Sequence, residues 1–468
     1  MRPLILIHRY LGIAIGILMA AWCLSGIVMM YVGYPELTRT DRLRALRPLE
    51  LRDCCASLDR TLPDDARLLS FQLEMLAGQP VMRVRSATGA ASLIDLRTGR
   101  RIEPVPAQQA QQVAVDFAAA AGVHGTIRLQ QTLDYDQWTL QGVPRSEPPL
   151  YRFGADDPGG TEAYVSAHTG RLVQSTTARQ RFWNWLGAIP HWLYFAGLRH
   201  NGPLWTRVIV WTSLAGSFLA LTGLYLGIQR FVRRPRGHWS PYGGLLLWHH
   251  VPGFIAGVFA LTWVASGLIS VNPWGFLDST AEPPEPMLLS GAQVKQAIAA
   301  LARAPSLQNW VSVDSSPLNG RLYLTAATAN GARTRLDSQG SPSPLTKPEI
   351  DQWAHALAGD NTTSELLTRE DAYYFSHHRD IVTLPVYRTV ASDAEHTRYY
   401  IDASSGALVG IMDGNSRWYR WLHEGLHRMD FTPLLRTRPL WDVIMWVLMS
   451  AVATICCTGA ILGIRRLR

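Results

Sequence analysis

Apolar residues are concentrated in four long stretches, and the segments between them mix apolar and polar positions. The stretches cover residues 10–31, 208–228, 245–269 and 443–464. Each is long enough to cross a hydrocarbon core of roughly 30 Å as an α-helix. The pattern therefore predicts four membrane-spanning helices and two long polar connections.

Two histidine-containing patterns each occur twice. His8-x-x-x-Gly12-x-x-x-Gly16 in the first stretch returns as His249-x-x-x-Gly253-x-x-x-Gly257 in the third. Trp22 and Ser25-Gly26 follow in the first copy, and Trp263 and Ser266-Gly267 follow in the second at the same spacing. Around the second and fourth stretches, Trp185, His191, Phe195, Thr222-Gly223 and Gly227 are repeated as Trp421, His427, Phe431, Thr458-Gly459 and Gly463. The chain thus reads as two pseudo-symmetric repeats of two spans each.

The long connections also resemble each other. Residues 149–152 and 164–173 match 385–388 and 400–409, and both sets alternate as strands that end in a glycine turn. Helical patterns at 106–121 and 347–359 accompany them. We predict a membrane α-helical four-helix bundle with two α+β periplasmic lobes. The segments are 1–32 (first span), 33–181 (lobe 1), 182–231 (interfacial segment and second span), 232–243 (cytoplasmic loop), 244–271 (third span), 272–417 (lobe 2) and 418–468 (interfacial segment and fourth span).

Composition and charge support this interpretation and add an orientation. Hydrophobic residues make up 47% of the chain and charged residues 17%. Arginines collect at one end of every span, at Arg2, Arg9, Arg230, Arg233, Arg234, Arg236, Arg465, Arg466 and Arg468. By the positive-inside rule, both termini and the loop are cytoplasmic and the lobes lie in the periplasm of a bacterial inner membrane. The net charge of +8 is thus partly a topology signal, and we expect no nucleic-acid partner.

The five cysteines constrain the cofactor chemistry. No Cys-x-x-Cys-His motif is present, so covalent c-type haem attachment is excluded. Cys54 and Cys55 are adjacent in a segment that we assign to an oxidising compartment. A disulfide between neighbouring residues is strained, and we therefore do not expect one here.

The repeated histidines are the candidate functional residues. Ionisable residues at a span are costly and are by default functional candidates, and neutral imidazole is an axial ligand of haem iron. Symmetry pairs His8 with His249 near the cytoplasmic face, and His191 with His427 near the periplasmic face. Two rivals remain, because His250 neighbours His249 and His423 lies one helical turn before His427. The glycines spaced by four residues either leave room for a porphyrin or allow close helix packing.

A family resemblance joins these features. The His-Arg-Tyr-Leu-Gly sequence at residues 8–12, the Trp-x-x-x-x-x-His element at 185–191 and the strand-ending glycine turns resemble PepSY-associated transmembrane proteins. That family includes iron-regulated inner-membrane proteins and FoxB-type ferrisiderophore reductases, whose bundle holds two haems. The resemblance implies two haem b groups ligated by His8, His249, His191 and His427. It also implies ferric siderophore or another ferric chelate as substrate, membrane lipid as surroundings, and a cytoplasmic reductant or quinol as electron donor.

Two other functions stay open at this point. One is a haem-free membrane-anchored sensor or chaperone-like module whose PepSY-like lobes bind peptides or regulate a protease. The other is a haem or metal transporter, which would need a continuous polar path through nearly uncharged spans. The sequence has no hydrolase constellation, P-loop or dinucleotide fingerprint.

Overall fold

The structure is a computed structural model and describes residues 2–52, 54–55, 58–233, 237–238, 240–304, 309–358, 362–377 and 381–467. Three of the arginines that indicate orientation, Arg234, Arg236 and Arg468, lie outside these residues, as does Gly359 at the end of a predicted helix.

The helices fall mainly in the four apolar stretches and in the segments that precede the second and fourth of them. In chain order they are α1 (Arg2–Met29), α2 (Arg39–Ala45), α3 (Ala107–Ala120), α4 (Ala178–Leu186), α5 (Ala188–Trp192), α6 (Ala196–Arg199), α7 (Gly202–Val232), α8 (Leu245–His250), α9 (Gly253–Val271), α10 (Gly291–Arg303), α11 (Lys347–Ala358), α12 (Gly414–Tyr419), α13 (Leu426–Arg428), α14 (Pro433–Arg436) and α15 (Leu440–Arg465). A 3₁₀ turn covers Leu58–Arg60, and a π-helix covers Arg420–Gly425.

The strands lie in the two polar connections. They are β1 (Arg67–Leu76), β2 (Gln79–Ser86), β3 (Ala91–Asp95), β4 (Ile127–Leu133), β5 (Leu150–Ala155), β6 (Glu162–Ser166), β7 (Leu172–Thr176), β8 (Leu289–Ser290), β9 (Trp310–Ser315), β10 (Tyr323–Thr328), β11 (Arg333–Asp337), β12 (Thr363–Leu367), β13 (Val386–Val390), β14 (Arg398–Asp402) and β15 (Leu408–Met412). The predicted strands and the predicted helices α3 and α11 are confirmed.

The chain divides into two compact units, and one of them contains the apolar helices. This membrane unit comprises Met1–Tyr34, Arg179–Ser279 and Asn415–Arg468. Helices α1, α7, α9 and α15 are each long and apolar enough to cross a membrane. Helix α1 packs along α15, and α7 packs along α9. Their shared core contains mostly aliphatic, sulfur-containing and aromatic side chains, among them Met19, Cys23, Leu219, Ala260, Trp263, Met445 and Val452.

The ends of these helices follow from local sequence. Asn201 begins α7 by accepting a hydrogen bond from the Leu204 amide at 3.1 Å, and Pro203 occupies the first turn, where no amide donor is needed. The third apolar stretch differs from the prediction, because α8 and α9 are separate helices. Pro252 lies at the break and has no amide hydrogen to continue the ladder of hydrogen bonds.

The second unit, here called the extramembrane unit, comprises Pro35–Ala178 and Thr280–Gly414. Its largest element is a seven-stranded antiparallel sheet in the order β11-β10-β9-β1-β2-β3, with β8 also paired to β1. We call it the shared sheet, because β1 to β3 come from the first connection and β8 to β11 from the second. Two further sheets, β4-β5-β6-β7 and β12-β13-β14-β15, have the same strand order.

The shared sheet is held together at the pairing of β1 with β9. Leu73 faces Val313 across this pairing, and both side chains are completely buried. They belong to a core that also contains Phe71, Met82, Ile298, Leu301 and Leu324. Burial of apolar area in this core is the main stabilising contribution at the junction of the two connections.

The expectation that Cys54 and Cys55 are not bonded to each other was wrong. The structure joins them in a disulfide, with their Cα atoms 3.7 Å apart. Cys55 has a φ of 83°, which lies in the left-handed region. The chain therefore turns sharply at this residue, and the two side chains meet.

We predict that Leu73→Ala destabilises the extramembrane unit by about 2 to 5 kcal/mol, because it leaves a cavity at the β1–β9 pairing. Leu129→Ala on β4 is the matched control, since that leucine is 43% exposed. Thermal unfolding of the purified protein, followed by near-ultraviolet circular dichroism, measures both changes. Equal unfolding temperatures for the two variants would show that the pairing is not a stabilising junction.

Candidate functional site

The structure brings the four symmetry-related histidines together as two pairs within the membrane unit. His8 on α1 and His249 on α8 have ring centroids 6.3 Å apart and ring planes inclined at 52°. His191 on α5 and His427 on α13 have centroids 6.1 Å apart and planes at 72°. Both predicted pairings are therefore present as close contacts between imidazole rings.

The spacing fits two ligands on opposite sides of one metal ion. Imidazoles bound in this way, each through a bond of about 2 Å, have ring centres about 6 Å apart. Rings that pack directly on each other span a similar range of distances. The decisive question is therefore which nitrogen of each ring is already engaged.

In the His191–His427 pair, Nδ1 is the engaged nitrogen of each ring. His191 Nδ1 donates to the Trp22 carbonyl at 2.9 Å and lies 3.3 Å from Ser25 Oγ. His427 Nδ1 lies 3.0 Å from Ser266 Oγ, and His427 also has a backbone hydrogen bond to Trp263, at the equivalent position of the other half. Each ring is thus held by a carbonyl and by the hydroxyl three residues further along the same helix.

The His8–His249 pair is held in the same way. His249 Nδ1 donates to the Ile455 carbonyl at 3.0 Å and lies 3.3 Å from Thr458 Oγ1. His8 Nδ1 lies 3.2 Å from Thr222 Oγ1, and His8 has a backbone hydrogen bond to Leu219. The carbonyl and the hydroxyl are again three residues apart, here on α7 and α15.

These contacts fix the tautomer of the rings. For His191 and His249 the partner is a carbonyl, which only accepts, so Nδ1 carries the hydrogen and Nε2 keeps its lone pair. For His8 and His427 the partner is a hydroxyl that already donates to a carbonyl of its own helix, so it accepts from Nδ1 and the tautomer is the same. In the part of the chain that the structure describes, no hydrogen bond reaches Nε2 of His8, His191, His249 or His427. A histidine whose Nδ1–H is held while Nε2 is available has the arrangement typical of metal ligands.

A glycine follows each of the four hydroxyl residues, and each lies against the ring that the hydroxyl holds. A Cβ added at Gly223 or Gly459 would be 2.8 or 2.9 Å from Cε1 of His8 or His249. At Gly26 and Gly267 the corresponding distances, to His191 and His427, are 3.3 and 3.7 Å. We call each hydroxyl–glycine dipeptide a histidine cradle. The four cradles are Ser25-Gly26, Thr222-Gly223, Ser266-Gly267 and Thr458-Gly459.

Sequence reasoning recorded these dipeptides as repeated residues but gave them no function. The usable signal was that a hydroxyl–glycine pair occurs in each span and repeats in register with the histidines. The glycines at four-residue spacing after the histidines have a different position. A Cβ at Gly16 would lie 3.5 Å from the Cys456 carbonyl, and one at Gly257 would lie 2.9 Å from Leu224. These two glycines therefore permit close helix packing.

The structure also separates the rival histidines. His250 has both nitrogens engaged, with Nδ1 2.9 Å from Ser240 Oγ and Nε2 donating to the Gly227 carbonyl at 3.1 Å. Its Nε2 hydrogen and its Nδ1 lone pair are therefore both used within the protein, and His249 is the better ligand candidate. His423, in the π-helix, donates from Nδ1 to the Ser266 carbonyl, and its ring centroid is 5.2 Å from that of His427. It is His427 that faces His191.

The candidate ligand side chains occur in pairs, which suits one class of metal centre. No group of three or more His, Cys, Asp or Glu side chains that could hold a bare metal ion occurs among the described residues. Haem supplies four equatorial nitrogens itself and needs only one or two axial side chains. Both histidine pairs therefore fit a haem with two axial imidazoles.

The two pairs occupy different levels of the membrane unit. His8 and Ser25, which holds His191, are both on α1. Their separation along the helix corresponds to roughly 25 Å at 1.5 Å per residue. The separation between the two levels is therefore close to the thickness of a hydrocarbon core, roughly 30 Å.

The family comparison covers most of these residues. The model of the family described as the PepSY-associated TM region matches residues 5–329. This range contains His8, His191 and His249, together with α1, α7 and α9. No curated protein matches the chain.

We predict that Ser266→Ala weakens haem binding about 10-fold, at the low end of what loss of an outer partner of a metal ligand costs, because the Trp263 backbone contact to His427 remains. Ser270→Ala is the matched control, one turn along α9, where the hydroxyl donates to the Gly267 carbonyl. Haem titration of the apo-protein, followed by absorption, gives both affinities. The role assigned to the cradle is wrong if the two variants bind haem equally.

Proposed function

Since the chain belongs to the PepSY-associated transmembrane family, we propose that it is a haem-containing oxidoreductase of the bacterial inner membrane. It carries electrons from the cytoplasmic side to the periplasm and reduces ferric siderophores or other ferric chelates. The observation that carries this proposal is the two histidine pairs, with every Nδ1 held by a helix and every Nε2 available.

The proposed ligands follow from that geometry. His8 and His249 would hold one haem b, and His191 and His427 would hold the other. Bound haem supplies reversible one-electron chemistry at its iron. The chain contributes the rest, because the cradles orient the imidazoles and the carbonyls raise their basicity through the Nδ1–H bond.

The arginines support a membrane orientation, from which the proposed direction of electron flow follows. The positive-inside rule favours a cytoplasmic position for both chain ends and for the connection after α7, because these segments carry Arg2, Arg9, Arg230, Arg233 and Arg465. In the proposed four-helix bundle of two pseudo-symmetric repeats, His8 and His249 lie near the cytoplasmic face and His191 and His427 near the periplasmic face. Electrons enter on the cytoplasmic side from a soluble reductant or a quinol.

The substrate follows from the chemistry of iron. One electron converts Fe(III) in a chelate to Fe(II), a softer ion that hard-oxygen chelators bind less tightly. Reduction in the periplasm therefore releases iron from the chelate. The proteins that share this family resemblance include reductases of this kind, which favours a ferric chelate over other electron acceptors.

Absorption spectroscopy of the detergent-purified protein, oxidised and reduced with dithionite, tests the proposal. We expect two haem b groups per chain in a pyridine haemochrome assay, with six-coordinate spectra in both states. Oxidation of the reduced protein by a ferric chelate should follow. A protein that stays free of haem when expressed with ample haem would contradict the proposal and favour the membrane-anchored sensor or chaperone-like module.

We predict that His8→Ala and His427→Ala each lower the haem content from two groups to about one per chain, because each removes one of two axial ligands. The matched controls are the neighbouring histidines, as His250→Ala and His423→Ala. These should keep both haems, since neither residue faces a partner histidine from the other half. Loss of haem in His423→Ala and its retention in His427→Ala would reverse the assignment of the ligand.

We also predict that Gly223→Ala selectively disrupts the haem of the His8–His249 pair. The added Cβ would lie 2.8 Å from His8 Cε1, so the ring must move. Gly227→Ala, one turn along α7, is the control, because its Cβ would meet Phe254 at an ordinary 3.8 Å. Haem stoichiometry and the reduction midpoint of each haem measure the effect. Identical values in the two variants would show that the cradle glycine does not position His8.

A further inference from the structure

The extramembrane unit contains a cleft with a polar floor. It has a volume of about 520 Å³, within the size range of small-molecule sites. The shared sheet forms its floor with Gln72, Glu74, Ser312, Asp314 and Thr325, and α2 and the turn at Gly170–Leu172 form part of its walls.

The polar floor results from strand alternation. Thr325 lies opposite Asp314 in the pairing of β10 with β9, and Asp314 lies opposite Gln72 in the pairing of β9 with β1. Directly opposed residues share a face of the sheet, and their neighbours along each strand point to the other face. Leu73 and Leu324 are such neighbours, and both lie in the apolar core. One face of the sheet is thus apolar core, while the other is polar where it borders the cleft.

Four arginines line this cleft, and two of them form no ion pair with a carboxylate of the described residues. Glu74 on the floor is paired with the buried Arg83. Arg39 pairs with Asp314 at 3.3 Å, and Arg333 pairs with Asp402 at 3.1 Å. Arg42 and Arg171 have no carboxylate partner among the residues that the structure describes: Arg42 donates to the Leu37 carbonyl at 3.3 Å, and Arg171 donates to Gln72.

Arg42 and Arg171 also repel each other. Arg42 lies at the exposed edge of the cleft. Partial burial lowers the pKa of its guanidinium and the nearby charge of Arg171 lowers it further, whereas Glu147 and Glu36 raise it. Two like charges in a partly enclosed cleft are stabilised by an anion between them. Guanidinium groups in particular match the planar geometry of carboxylates.

Thr325 provides an independent indication of a ligand. Its side chain is only 4% exposed, and it lines the cleft. Its Oγ1 has no hydrogen-bond partner among the described residues. A buried hydroxyl without a partner is costly, and a ligand oxygen in the cleft would remove that cost.

We infer that this cleft binds a hydroxy-polycarboxylate, either free or as its ferric chelate. Arg42 and Arg171 bind the carboxylates, and Thr325 donates to a ligand oxygen. Asp314 and Glu74 add acceptors for a ligand hydroxyl, which a plain polycarboxylate lacks. This site lies within the extramembrane unit and is independent of the haem ligands.

Isothermal titration calorimetry on the detergent-purified full-length protein tests the inference with four probes: citrate, ferric citrate, tricarballylate and inorganic phosphate. Tricarballylate has the three carboxylates of citrate without its hydroxyl. We expect citrate or ferric citrate to bind at least 10-fold more tightly than tricarballylate or phosphate. The tighter of the two citrate forms identifies the natural state of the ligand. The inference is overturned if no probe binds, or if tricarballylate or phosphate binds as tightly as citrate.

Three variants locate the binding. Arg171→Gln and Thr325→Val should each weaken binding of the tighter citrate form at least 10-fold. Arg85 is exposed on β2 of the same sheet, so Arg85→Gln should leave this affinity unchanged. Thr325→Val should unfold at the same temperature as the parent or higher, because it replaces an unpaired hydroxyl by a methyl group. If Thr325→Val binds citrate as tightly as the parent, the proposal that the floor of the cleft contacts the ligand is overturned. Since affinity is measured whatever the haem content, failure here is distinct from failure of the proposed oxidoreductase.

Discussion

The membrane unit depends on one requirement, that an imidazole N–H inside an apolar core must have a hydrogen-bond partner. Helix carbonyls are normally used within their own helix, but they have a second lone pair. Here His191 and His249 donate to the carbonyls of Trp22 and Ile455. In each case the hydroxyl three residues further along the helix is a second partner of the same nitrogen. The same contact that satisfies Nδ1 directs the lone pair of Nε2 away from the helix, so stability and ligand geometry have a common origin.

The cradles also explain how the two halves are built. Within the first half, α7 holds His8 and α1 holds His191; within the second, α15 holds His249 and α9 holds His427. Each half thus positions its own two histidines through contacts between its own spans. The pairing across 6 Å occurs only when the halves meet. A centre that binds one ligand from each half is therefore also a link between them, and bound haem would stabilise their association.

The sequence predicted the spans, the strands and the histidine pairs, because each follows from a local periodicity or from a repeat. It did not predict the choice between His249 and His250, since adjacent residues differ only in what lies across the helix interface. The shared sheet was missed for a related reason. Its central pairing joins Leu73 to Val313, and no local pattern specifies a partner so distant in the chain. Pro252 is present in the sequence, but the apolar residues on both sides of it led to the prediction of one continuous helix.

The two units differ in which kind of buried polar atom lacks a hydrogen-bond partner. Around the histidines, the Nδ1 donors are satisfied, so the available lone pairs of Nε2 indicate an electrophile such as a metal. In the cleft the balance is reversed: Thr325 and the guanidinium groups of Arg42 and Arg171 are donors in excess of their acceptors. Excess donors indicate an oxygen-rich anion. The kind of polar atom left without a partner therefore differs between the units: it is a lone pair in the membrane unit, which suits the iron of the proposed haems, and a donor hydrogen in the cleft, which suits the proposed carboxylate ligand.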